Sequence, residues 1–179
     1  MRIAPLIIGI ILMLVTIVGL IGYGGEGDQE IPVIPCPTNP PQMDKCYAGM
    51  TLSDLEIPTQ FSILSIKISI EWSQSESTWV GVIPASDAIE CPPDDLGLTS
   101  CEADQLNFQA GGADSVGSDG LEWDVDPGKY RLATGSISSQ ANPAVANIVS
   151  YDYDVRLNLL VAFATFMFSS AMLVAGIEF

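Results

Sequence analysis

The sequence predicts a mainly β protein: an antiparallel β-sandwich, immunoglobulin-like or related, that lies outside the membrane and is flanked by two transmembrane α-helices. Three observations predict it. Uncharged apolar stretches at Ile3–Gly25 and Leu157–Ile177 bracket the chain. Between them apolar residues recur at every second position, the pattern of strands with one buried face. No helical period occurs there, and short strand patterns set off by proline and glycine turns point to packed antiparallel sheets.

The first stretch, residues 3–25, holds thirteen Ile, Leu and Val residues before Gly22, with Pro5 in its first turn. Each such residue favours insertion by roughly 0.3–0.6 kcal/mol near the helix centre. Proline is tolerated at a helix start, where its missing N–H has no helical partner. A cleaved signal peptide is the competing reading, but its apolar core would span about 7–15 residues before a small-x-small site. The core here is longer, and the nearest such site is Gly22-Tyr23-Gly24. The expectation is an uncleaved signal anchor.

Residues 26–58 contain Pro32, Pro35, Pro37, Pro40 and Pro41 and little periodicity. They read as an extended extracytoplasmic linker with one disulfide loop. Cys36 and Cys46 are separated by nine residues, and so are Cys91 and Cys101; a proline follows the first cysteine of each pair. Four cysteines allow three connectivities, and the repeated spacing favours two local loops, 36–46 and 91–101. Zinc is the rival reading, but the chain has no Cys-x-x-Cys and no histidine, which leaves the usual ligand sets incomplete.

Residues 59–156 are expected to form the sandwich. Leu64, Ile66, Ile68, Ile70 and Trp72 alternate with Ser65, Lys67, Ser69, Glu71 and Ser73, a strand with one apolar face. Trp79–Ile83 is a shorter apolar strand stopped by Pro84. Trp79 follows a polar run and is expected at an exposed loop edge, whereas Trp72 and Trp123 are expected in the core. Leu121, Trp123 and Val125 alternate with Glu122, Asp124 and Asp126, and Asp126-Pro127-Gly128-Lys129 then supplies turn chemistry. A two-residue hairpin loop would set Val125 against Tyr130 and Trp123 against Leu132 on the dry side. Asp126 would face Lys129, and Asp124 would face Arg131, on the wet side. Such hairpins prefer primed turns, so a bulged variant would shift this register. The last strand is expected from about Val145 to Leu157, entering the second stretch with almost no linker.

That second stretch, residues 157–177, carries Asn158, Thr165, Ser169 and Ser170, and its Ala171 and Ala175 form a small-xxx-small pair suited to helix contact. Its 21 uncharged residues reach the ~20 that cross a bilayer core, which favours a span over a buried core helix. Arg2 precedes the first stretch, while Glu26, Asp28 and Glu30 follow it, and positive residues prefer the cytoplasmic side. Arg156 argues mildly the other way. Paired cysteines belong in an oxidising compartment. The expected location is the plasma membrane, with two passes, both termini cytoplasmic and the central domain extracytoplasmic.

Between the stretches 21 acidic residues stand against 5 basic ones, the whole of the net charge of −16. Nucleic acid and anionic lipid surfaces both demand Lys/Arg clusters, so both are excluded as unassisted partners. The charge fits solubility in a salty medium or a basic partner.

Reactive chemistry has few candidates. No histidine is present to serve as general base, and oxidised cysteines supply no thiolate. Ser65, Lys67 and Ser69 share a strand face, but it is the polar one, where a lysine stays solvated and charged. Asp114, Asp119, Asp124 and Asp126 flank a loop with Gly111, Gly112, Gly117 and Gly120. Hard cations take six to eight oxygens from flexible loops, so this loop is the candidate calcium site, although its spacing departs from the EF-hand pattern. The functional expectation is a non-enzymatic, membrane-anchored domain that binds a protein in or beside the membrane or serves as an accessory subunit. The alternative is a module that binds calcium or a small polar ligand such as a sugar through the acidic loop.

Overall fold

The computed structural model describes residues 3–33, 36, 45–137 and 147–178, the last for its backbone only. In chain order the strands are β1 (Tyr23–Ile31), β2 (Tyr47–Met50), β3 (Leu55–Ile57), β4 (Leu64–Trp72), β5 (Thr78–Pro84), β6 (Leu98–Glu102), β7 (Ala110–Gly111), β8 (Leu121–Asp124), β9 (Gly128–Ser136) and β10 (Asn147–Leu157). Helix α1 (Ile3–Ile21) precedes them, the short α2 (Asp87–Glu90) interrupts them, and α3 (Leu159–Glu178) follows.

Helices α1 and α3 are long and apolar enough to cross a membrane. They pack antiparallel on the buried Gly9 and Gly176, not on the expected pair Ala171 and Ala175, both of which are exposed. A Cβ on Gly9 would sit 2.9 Å from the Leu173 side chain, and one on Gly176 would meet Leu6 at 3.0 Å. The Thr16 hydroxyl donates to the Thr165 hydroxyl at 3.0 Å between the two helices. Close backbone approach over small residues and an interhelical hydroxyl bond are the usual means of joining apolar helices.

The helix pair continues upward as a strand pair. Gly22, at φ +82°, turns the chain out of α1, a conformation that costs glycine little. β1 then pairs with β10 in unbroken antiparallel register from Tyr23↔Val155 to Ile31↔Asn147. Only Asn158 separates β10 from α3. The first apolar helix therefore stops at Ile21, shorter than the stretch 3–25 expected for it, and the second begins at Leu159. Residues 26–58, expected as linker, contain most of β1 and all of β2 and β3. The proline-rich part of that expectation falls mostly on residues 34–35 and 37–44, which lie outside the described residues, as does Val145.

Two antiparallel sheets result. One has the order β1-β10-β4-β8; the other runs β6-β2-β9-β5-β7, with β3 also pairing β9. A shared core lies between them: Ile31, Ile66, Ile70, Trp72 and Val149 from the first sheet meet Val80 and Val82 from the second. The alternation expected for β4 holds, with Ile66, Ile70 and Trp72 buried and Ser65, Lys67, Ser69 and Glu71 exposed. The Trp72 indole N–H donates to the Thr78 carbonyl at 3.0 Å, which satisfies the one polar atom that a buried tryptophan brings with it.

The second sheet is covered on both faces. Trp79, Ile83, Met50, Leu106 and the Cys91–Cys101 disulfide form another apolar cluster on its far side. That explains why β5 is buried along nearly its whole length, as strands with two covered faces are. Trp79 is 3% exposed and stacks edge-on against Phe108 at 5.4 Å, so its expected place at a loop edge is corrected. The polar run before it says nothing about the later segment that folds over it.

The expected β8–β9 hairpin does not form. β8 pairs with β4, with Trp123 opposite Ile68 and Asp124 opposite Lys67. β9 lies in the other sheet, where Tyr130 is opposite both Leu55 and Pro84. Asp126 and Pro127 carry the chain from one sheet to the other, because a proline-first turn does not match the twist of a two-residue hairpin. Both strands still turn their apolar sides to one core: Trp123 is buried, and its ring meets Tyr130 edge-on at 4.7 Å from across the sheets. The charged pairings differ accordingly. Lys67 meets Asp124, Lys129 meets Glu56, and Arg131 meets Asp54 with only 16% of its side chain exposed.

Candidate functional site

The structure contains the disulfides Cys36–Cys46 and Cys91–Cys101, with Cα separations of 4.8 and 5.7 Å. Both have the local connectivity that the equal spacing suggested. Cys91 and Cys101 are buried and tie α2 and β6 to the outer apolar cluster.

The four candidate carboxylates are drawn apart. Gly117 N–H bonds to the Ser75 carbonyl at 2.7 Å, which fixes the glycine-rich loop, with Asp114 and Asp119, at the end far from the helices. Asp124 pairs with Lys67 at 3.6 Å, toward the helix end, and Asp126 follows it there. Asp124 lies five positions after Asp119, at most on the order of 16 Å away at the rise of a strand. Among the described residues no group of three or more acidic or cysteine side chains converges as a cation cage would require.

What the first sheet does assemble is an acidic outer face. Glu26 lies opposite Asp152, Asp154 opposite both Gly24 and Lys67, and Lys67 opposite Asp124. These residues, with Glu122, line a shallow concavity of about 590 Å³. Ser65, Lys67 and Ser69 stand on this face, and the Lys67 side chain is 66% exposed, hydrated as an ammonium prefers.

A second concavity was not foreseen. Between the sheets, in the half of the domain nearer the helices, lies a groove of about 400 Å³, lined among others by Ile57, Phe61, Ile66, Ile68, Tyr153 and Val155. Its origin is in β1. The inward positions of that strand are Gly25, Gly27, Gln29 and Ile31, and only Ile31 is buried. A Cβ on Gly25 would lie 2.5 Å from the Tyr153 hydroxyl, and one on Gly27 equally close to that of Tyr151. The tyrosines of β10 lean over the bare strand, as aromatics do over sheet glycines. β1 thus adds no bulk to the inter-sheet space, which stays open beside it. Tyr130 borders the groove, and burial, with the nearby Asp126 charge second, raises its phenol above the usual tyrosine range. Its hydroxyl donates to the Asp126 carbonyl at 3.0 Å.

The sequence held a signal for this groove: glycines at alternate positions 25 and 27, and tyrosines at alternate positions 151 and 153. Only the pairing of β1 with β10 brings the two patterns together. No known family model matches this chain, and no curated protein matches it in sequence.

Proposed function

We propose that this chain is a non-enzymatic membrane protein. In this reading α1 and α3 cross the bilayer with both termini cytoplasmic. A disulfide-bonded β-sandwich, immunoglobulin-like or related, stands outside the cell and binds or supports a protein partner in or beside the membrane. One observation carries the reading: the packed helix pair runs directly into the neighbouring strands β1 and β10, so the sandwich is held at a fixed height and orientation. A domain that acts on free substrate gains nothing from such coupling, whereas one that presents a surface to a neighbour does. The acidic outer face is the surface so presented. Its charge favours a basic counterpart, since complementary charge speeds encounter and rejects wrong partners.

The test has two arms. Single cysteines near each end should resist an impermeant thiol reagent in intact cells, and labelling at either end overturns the hairpin topology. The full chain, purified from native membranes in mild detergent, should carry a second protein in fixed stoichiometry. A lone monomer in every preparation overturns the accessory reading.

A further inference from the structure

We infer that the inter-sheet groove is a lipid site that takes up one acyl chain of a membrane phospholipid; this rests on the reading above that α1 and α3 cross the bilayer. The first argument is position. The groove includes Phe61 and Val155, and Val155 lies only two residues before the last residue of β10. The carbonyl of Ile63 accepts a hydrogen bond from the Asn158 N–H at 2.9 Å, which fixes the Phe61–Ile63 turn at the level where α3 begins. Phe61 and Ile63 are 43% and 50% exposed, and Tyr23, beside the end of α1, is 71% exposed. Apolar and aromatic side chains at that height belong to the membrane interface. The groove floor is therefore continuous with the bilayer surface, and a chain enters it without crossing water.

The second argument is chemistry. The walls are mainly aliphatic and aromatic, and the volume of about 400 Å³ falls within the ~300–1,000 Å³ of small-molecule sites. An acyl chain loses little on leaving one apolar medium for another, while the groove sheds water from its walls, which is the favourable step. Headgroup recognition plays no part, consistent with a net charge of −16. The cleft stays open because the rings of Tyr151 and Tyr153 occupy the space over Gly27 and Gly25. On the opposite side β3 is held away by its pairing with β9.

Trp123 makes this testable, because it lines the groove and neither helix contains a tryptophan. It stands opposite Ile68, four residues above the Leu64–Leu157 pair, or about 13 Å along an extended strand. The full chain is reconstituted in phosphatidylcholine vesicles with or without bromine atoms on the acyl chains. Bromine quenches tryptophan only on contact, so part of the emission should be lost in brominated vesicles. Trp123→Phe should abolish that loss, and Val155→Phe, which fills the floor, should reduce it at least several-fold while Trp123 remains. As a measurement independent of the filling variant, native mass spectrometry of the wild-type chain should show one retained phospholipid.

Equal emission in both vesicles from protein that resists carbonate extraction overturns the lipid site and leaves the anchor standing. Release by carbonate overturns the anchor, and this inference with it. Quenching that persists in Trp123→Phe, or a second copy or a peptide found in the groove in place of lipid, overturns the assignment of its occupant.

Discussion

Replacing Trp123 by Ala should destabilise the β domain by about 3–4 kcal/mol, and replacing its neighbour Asp124 by Ala should cost under about 1 kcal/mol. The two residues are adjacent in sequence, and the contrast comes from which way each faces. Trp123 is 5% exposed and packs its ring on Tyr130. Truncating a buried tryptophan typically costs about 3–5 kcal/mol through lost burial and the cavity left behind, and the aromatic pair adds about 0.5–1.5 kcal/mol. The open groove beside Trp123 lowers the total, because solvent or lipid can enter the vacated space and no sealed void remains. Asp124 has 81% of its side chain exposed, and its partner Lys67 is 66% exposed at 3.6 Å; such surface pairs contribute about 0–1 kcal/mol. The assay is denaturant unfolding of the full chain in detergent, followed by the emission of Trp72 and Trp79, which sit in the two apolar clusters. A shift of midpoint at constant slope gives the difference. Comparable losses at both positions, or a loss under about 1 kcal/mol for Trp123→Ala, would refute the assignment of faces.

Unreduced digestion followed by mass spectrometry should yield the 36–46 and 91–101 peptides, and a 36–91 or 46–101 cross-link would contradict the connectivity. Replacing Cys91 and Cys101 together by Ala should cost about 2–3 kcal/mol, the loop-closure value for a bridge of this span, read as a lower midpoint in the same melts. Tyr130 gives a pH dependence. Its folded pKa is raised, so the stability it contributes is fully present below the unfolded value of about 10 and is lost as pH rises through the folded value. The domain should therefore weaken at strongly alkaline pH, and Tyr130→Phe should flatten that part of the stability profile. An unchanged alkaline limb in the variant would count against it.

How much of the fold is legible in the sequence depends on what kind of information each element carries. β4 is written plainly, because five large apolar residues at every second position from Leu64 to Trp72 admit one strand face and no helix. The α1 and α3 helices are legible from length and composition. The hairpin shows where such patterns stop: alternation tells which side of a strand is dry, not which strand lies beside it. Trp123 and Tyr130 do face one core, but from opposite sheets. The acidic loop meets the same limit, since its spacing does not tell that Asp119 and Asp124, five positions apart, are held toward opposite ends of β8.

β1 carries the weakest local signal of all. Tyr-Gly-Gly-Glu-Gly-Asp-Gln-Glu-Ile has three glycines and one buried side chain, and glycine weakens a strand through entropy and lack of packing. What makes it a strand is its attachment: α1 is packed on α3, so the residue after Gly22 emerges beside the end of β10, and nine pairs then form in register. The strand is recruited by the helices, not by its own propensity. This also explains how so bare a strand can persist. A strand that stood by its own packing would require bulky inward residues, and these would fill the inter-sheet space. Because the helix pair supplies the alignment, positions 25 and 27 can remain glycine, and the cleft beside β1 can remain open. Helix pair and groove are in this sense one feature. If β1 depends on the helices for its place, removing α1 should loosen β1 first, and the groove should lose its wall while the distal core around Trp72 and Val80 persists.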